Sequence, residues 1–126
     1  MAGYSVSIKE VSKELTARER IMLKDTSNAV KLDEAASGDS PLIIVPVAYA
    51  VLSVHNEKST DNKDYENYII LDDTGTKFVT GSASFWNSFI EIWEEMKNES
   101  EAYSIEVYKK DSKNYKGKKF LTCSIV

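Results

Sequence analysis

Leu42-Ile-Ile-Val-Pro-Val-Ala-Tyr-Ala-Val-Leu-Ser-Val54 limits what this chain can fold into more than any other stretch. It is rich in β-branched residues, and Pro46 lacks the backbone donor that a helix interior needs, so the run predicts a long strand. Near-continuous apolarity means that both faces of the strand are at least partly covered, as in a strand that curls across a small barrel, and Pro46 marks a bulge or an edge position. With Pro46 and Ser53 inside it, the run is shorter than the roughly 20 apolar residues of a membrane-spanning helix. The start, MAGYSVSIKE, has no basic segment leading into an apolar one, so no signal peptide is expected and the cytoplasm is the expected compartment.

The flanking sequence supplies further elements. Tyr4-Ser-Val6-Ser-Ile8 alternates as an edge strand would. Thr16-Ala-Arg-Glu19 matches the capping box, in which hydroxyl and carboxylate satisfy each other's backbone donors, and predicts a short helix from Ala17 to about Lys24. A polar Gly and Pro cluster, Ala36 to Pro41, reads as a connection. After the long strand, residues 65–71 and 77–80 flank Asp72-Asp-Thr-Gly-Thr76, where Gly75 can take positive φ, and predict a hairpin. Ser82 or Ser84 can N-cap a helix running to about Asn98, with Phe85, Phe89, Ile92 and Met96 along one stripe and an acidic face of Glu91, Glu94 and Glu95. Two alternating strands end the chain, 103–108 and 120–125. Ile105, Val107, Leu121, Cys123 and Ile125 point inward on them, and Tyr108 and Phe120 lie on the opposite face.

Strand, strand, strand, helix, strand, strand is the element order of the oligonucleotide-binding (OB-fold) barrel, a five-stranded Greek-key fold whose strands 2 and 3 and loops 1-2 and 4-5 contact nucleic acid. The expected fold is therefore mainly β with one main helix. A single domain spans 1–126, with residues 42–126 forming the barrel core and residues 1–41 a strand and helix extension; a chain of 126 residues suits one core.

Charge is distributed unevenly over that plan. Residues 103–126 hold six Lys against Glu106 and Asp111, a balance of +4, whereas residues 1–102 carry −8, and the whole chain −4. Lys109, Lys110, Lys113, Lys116, Lys118 and Lys119 all fall in the expected loop 4-5 or at its shoulders, interleaved with Tyr108, Tyr115 and Phe120. Ammonium groups that follow phosphates and rings that stack on bases make a sequence-tolerant site for single strands. The six lysines are the first candidates for phosphate contacts, Tyr115 for a stacker at the loop tip, and Tyr108 and Phe120 for platform rings. Tyr65, Tyr68 and Phe78 on the central hairpin are candidates for stacking or for core packing, and Lys58, Lys63 and Lys77 for secondary phosphate contacts.

From Leu42 to Val126 the chain resembles the small single-stranded DNA-binding proteins of bacteriophages and related mobile elements. The likeness rests on Ile44 to Val54, Tyr68-Ile-Ile-Leu-Asp-Asp-Thr-Gly75, Ser84-Phe-Trp-Asn-Ser-Phe-Ile-Glu91, and Ile105-Glu-Val-Tyr-Lys109 through Lys116-Gly-Lys-Lys-Phe-Leu-Thr-Cys-Ser-Ile125. It implies a compact protein that coats and protects single-stranded DNA during replication or recombination, with replication or recombination proteins as further partners and either a monomer or a dimer as the working unit. The competing expectation is a protein-interaction module, an inhibitor or host-factor binder, that uses the same loop.

Catalytic and metal chemistry find little support in the residues. One cysteine, Cys123, and one histidine, His55, cannot assemble the Cys and His sets that zinc prefers, and no cofactor is expected. Asp72 and Asp73 precede Thr-Gly, where a tight turn uses carboxylates for its own hydrogen bonds. No phosphate-cradling G-x-x-x-x-G-K loop or G-x-S-x-G elbow occurs, so the chain is not expected to be an enzyme.

Overall fold

The structure, a computed structural model, describes residues 4–25, 28–36, 41–57, 64–99, 102–111 and 119–126. It is mainly β, and the chain divides into two compact units, Met1–Val30 with Val47–Gly81, and Lys31–Pro46 with Ser82–Val126.

The first unit is built on a sheet in the order β1 (Tyr4–Val11), β4 (Pro46–Asn56), β5 (Asp64–Asp72), β6 (Lys77–Thr80) and β2 (Val30–Lys31). β1 lies at the edge, as its alternation predicts, and runs antiparallel to β4 with a register shift between Ile8 and Glu10. The helix α1 (Ala17–Lys24) starts at Thr16, whose hydroxyl accepts from Glu19 N while the Glu19 carboxylate accepts from Thr16 N, so the predicted capping box is complete. Leu23 of α1 packs with Ala50, Leu52, Ile69 and Val79, and Val6, Ile8 and Leu71 close around them. Residues 4–24 thus contribute a strand and a helix to this core.

In the β5–β6 hairpin, Asp72 Oδ1 accepts from Thr74 N (3.0 Å), Thr74 Oγ1 (2.7 Å) and Thr76 N (2.8 Å), while Gly75 takes φ 87°. The carboxylate is consumed by the turn.

The second unit contains a three-stranded sheet in the order β3 (Leu42–Ile44), β7 (Ile105–Asp111) and β8 (Lys119–Ile125), with both pairings antiparallel. A four-residue helix, α2 (Leu32–Ala35), precedes β3 and buries Leu32. The long helix α3 (Ala83–Met96) starts at Ser82, whose hydroxyl accepts from Phe85 N, and buries Phe85, Trp86 and Phe89. Its rings stack in sequence, Phe85 on Phe89 at 6.1 Å, Trp86 on Phe89 at 5.0 Å, and Phe89 tilted against Trp93 at 5.9 Å. α3 lies along β8, where Ser84 Oγ donates to the Leu121 carbonyl and the Ser88 and Thr122 hydroxyls meet at 3.2 Å.

Two expectations change here. The long apolar run, expected as one strand, breaks at Val45 and contributes strands to two sheets. Ile44 ends β3 opposite Ile105, and Pro46, with no N–H to extend a ladder, opens β4 in the other sheet. The inward set on β8 is shorter than alternation predicts: Leu121 and Cys123 are buried, but Ile125, at the end of the ladder, is 49% exposed.

Candidate nucleic-acid interface

Directly opposed residues of an antiparallel ladder share a face, and successive residues alternate between faces. In the β7–β8 register, Glu106 faces Ser124, Tyr108 faces Thr122, and Lys110 faces Phe120. These six side chains form one face. Ile105, Val107, Lys109, Leu121 and Cys123 belong to the other, and all but Lys109 are buried there. The opposite-face placement of Tyr108 and Phe120 therefore holds.

The ladder also corrects the loop. It continues to Asp111 opposite Lys119, so Lys109, Lys110 and Lys119 stand in strands and not in a connecting loop. Lys109 and Lys110 consequently point to opposite faces, and of the two only Lys110 shares the face of Tyr108 and Phe120. Lys113, Tyr115, Lys116 and Lys118, like Lys58 and Lys63, lie outside the described residues.

Along this face the exposure is graded. Phe120 is 36% exposed and Lys110 is exposed, whereas Tyr108 is half-buried and Thr122 is only 9% exposed, held by Ser88 of α3. The Tyr108 hydroxyl meets Ser124 Oγ at 2.8 Å, which pins the ring along the sheet toward Ser124. The Lys110 and Phe120 end is open, and the Thr122 end is taken by the helix.

Ile43 and Glu106 also belong to this face, and neither is among the expected site residues. Ile43 of β3 is paired with Glu106 and is 55% exposed, so it extends the apolar part of the face. Its outward direction is hidden in the sequence because Leu42, Ile43 and Ile44 are all apolar, and only the pairing of Leu42 with Val107 and of Ile44 with Ile105 sets the parity. Glu106 puts a carboxylate beside Ile43, where it opposes phosphate.

The central hairpin fares differently. Phe78 is 6% exposed, faces Ile70 across the ladder, and is core; a ring so enclosed offers no face to a base, which removes it from the stacking candidates. Tyr68 shares the Phe78 face, is half-buried, and donates to Glu66 at 3.4 Å, while alternation puts the half-buried Tyr65 on the Ile69 face. The two tyrosines therefore do not form one platform. Lys77 is also reassigned: its Nζ donates to the Met22 and Asp25 carbonyls at the C-terminus of α1, where a cation satisfies unpaired carbonyls and the helix dipole.

His55 at the end of β4 lies between two carboxylates, Nδ1 at 2.6 Å from Asp64 and Nε2 at 2.5 Å from Glu57. The hydrogen bond to Asp64, then that to Glu57, raises its pKa above the ordinary 6.5. With both nitrogens engaged, the ring acts as a clamp at the strand end. Burial pushes the Cys123 thiol up to about 12, as suits a core residue. Among the described residues no group of His, Cys, Asp and Glu has the arrangement of a metal site, and no helix is long and apolar enough to cross a membrane.

No protein-family model, curated protein or solved structure matches this chain.

Proposed function

We propose that the chain binds single-stranded DNA without sequence preference through the β7–β8 face and the basic residues between those strands, coating strands exposed during replication or recombination of a phage or mobile element. The observation that carries the reading is the cross-strand pair of Lys110 and Phe120, an exposed cation and an exposed ring on one face at the root of the lysine cluster. A base stacked on Phe120 brings its phosphate toward Lys110, and every base has a π-face to offer. The acidic remainder of the chain repels phosphate elsewhere and so favours approach by this end.

Strand pairing supports an OB-type reading of the fold. β7 pairs with β3, the chain runs from β3 through Val45 into β4, β4 is flanked by β5, and β5 by β6. Three consecutive strands followed by a fourth that returns beside the first is the Greek-key order, and here the long connection carries α3. β8 then adds to β7 as a hairpin partner.

Fluorescence anisotropy with a labelled oligothymidine tests the function. Saturable binding at micromolar protein that weakens steeply with salt is the expected result, each neutralised phosphate contributing about −0.7 to the slope of log affinity against log salt. Absence of binding at low salt would sink the reading.

A further inference from the structure

The β7–β8 face carries one charged group that cannot hold phosphate. Glu106 is half-buried at the centre of a row across the sheet, between Ile43 of β3 and Ser124 of β8. Ile43 on one side of it is 55% exposed. On the other side the Tyr108 hydroxyl meets Ser124 Oγ at 2.8 Å, so that end of the ring comes to the residue directly opposite Glu106. Cross-strand partners hold their Cβ atoms about 4.5–5.5 Å apart, so an aliphatic side chain and an aromatic ring both flank the carboxylate. The Tyr108 and Ser124 hydroxyls satisfy each other, whereas Glu106 makes no hydrogen bond or ion pair among the described residues.

We infer that Glu106 is a specificity-determining residue, which accepts hydrogen bonds from the Watson–Crick edge of a guanine base seated between Ile43 and Tyr108. This selection rests on the single-stranded DNA reading and refines it. A carboxylate repels phosphate, so the strand keeps its backbone toward Lys110 and presents a base, not a phosphate, to Glu106. An ionised carboxylate only accepts, through two oxygens side by side. Guanine is the one base with two adjacent donors on its Watson–Crick edge, N1–H and the N2 amine, and these match the two oxygens as a bidentate pair. Cytosine and adenine offer one amine beside a ring nitrogen whose lone pair opposes the second oxygen, and thymine offers N3–H between two carbonyls. Lys110 lies four residues further along β7, roughly 13 Å away, so the base at Glu106 is not the one stacked on Phe120. The coat stays sequence-tolerant, because only one position along the bound strand is selective.

Anisotropy titrations of the full chain test this with three strands of equal length: a short oligothymidine, the same strand with one central guanine, and the same strand with hypoxanthine in its place, which keeps N1–H and lacks the N2 amine. The guanine strand should bind tighter than oligothymidine by about fivefold or more, fivefold being the lower end for a bidentate base contact. Hypoxanthine should lose most of that gain. Glu106→Ala should equalise the three strands while still binding oligothymidine, with circular dichroism to show that the fold persists. Equal affinities in the unmodified protein, with oligothymidine bound, overturn the role of Glu106 and leave the DNA reading standing. A guanine preference that survives Glu106→Ala places the selection elsewhere and overturns it as well. Failure of all three strands to bind removes the DNA reading and the selection together.

Discussion

Lys110 and Phe120 stand directly opposite one another on the β7–β8 ladder, on the face that also carries Tyr108. Cross-strand partners hold their Cβ atoms about 4.5–5.5 Å apart, close enough for one nucleotide to meet both the ring and the ammonium. Phe120→Ala should therefore weaken oligothymidine binding by roughly 1–3 kcal/mol, the loss of one stacked base. Lys110→Gln should reduce the salt slope by about 0.7. Glu106→Gln, on the same face, should tighten binding by removing a charge that opposes phosphate. Phe78→Leu should lower stability while leaving affinity per folded molecule unchanged. Anisotropy titrations at several salt concentrations read all four, and an unchanged affinity in Phe120→Ala contradicts the stacking role.

Part of the fold and of the candidate interface is legible in the sequence because local rules govern it. Thr16 and Glu19 are three residues apart, and their capping box is complete. Asp72 closes its turn on Thr74 and Thr76, as the Asp-Asp-Thr-Gly pattern implies. The alternation that sends Tyr108 and Phe120 to one face needs only short-range parity. What escaped was pairing over long separations: Lys77 caps a helix more than fifty residues earlier, and Lys9 bridges to Glu66. Nothing local distinguishes a lysine bound for a carbonyl from one bound for phosphate. Phe78 and Ile43 show the same limit, since each lies in an apolar stretch whose inward parity is set by the partner strand. The break at Val45 belongs here too, because Pro46 announces an interruption without stating which strand each half will join.

His55 makes a pH prediction. Its pKa is raised by Asp64 and Glu57, so the stabilisation from the clamp is fully present below the unfolded value near 6.5 and is lost as pH rises through the higher folded value. It is the chain's single histidine, so its ring protons give an unambiguous NMR titration. The midpoint should lie above 6.5 and fall in Asp64→Asn, and a midpoint at or below 6.5 in the unmodified protein contradicts the two-carboxylate clamp.

Cys123 provides a probe of global opening. Its side chain is buried on the face shared with Val107 and Leu121, and that burial pushes the thiol pKa up to about 12, so thiolate is scarce at neutral pH. Thiol reagents at pH 8 should leave the native protein unlabelled and modify it readily in denaturant. Rapid labelling under native conditions would mean that β8 opens locally.

Lys77 should support the fold as a helix cap. Its ammonium sits against the last carbonyls of α1, where a cation contributes about 0.3–1 kcal/mol at a helix C-terminus. Lys77→Met keeps much of the aliphatic stem and removes the charge, so urea denaturation should register a loss of that size. The loss should be local as well as global. α1 has only eight residues, too few to be stable alone, and depends on Leu23 and this cap for its position. Amide exchange in residues 20–24 should accelerate more than in β5 or β6. Oligothymidine affinity should stay unchanged, because the ammonium is engaged with the helix; a drop in affinity together with a smaller salt slope would return Lys77 to the phosphate contacts.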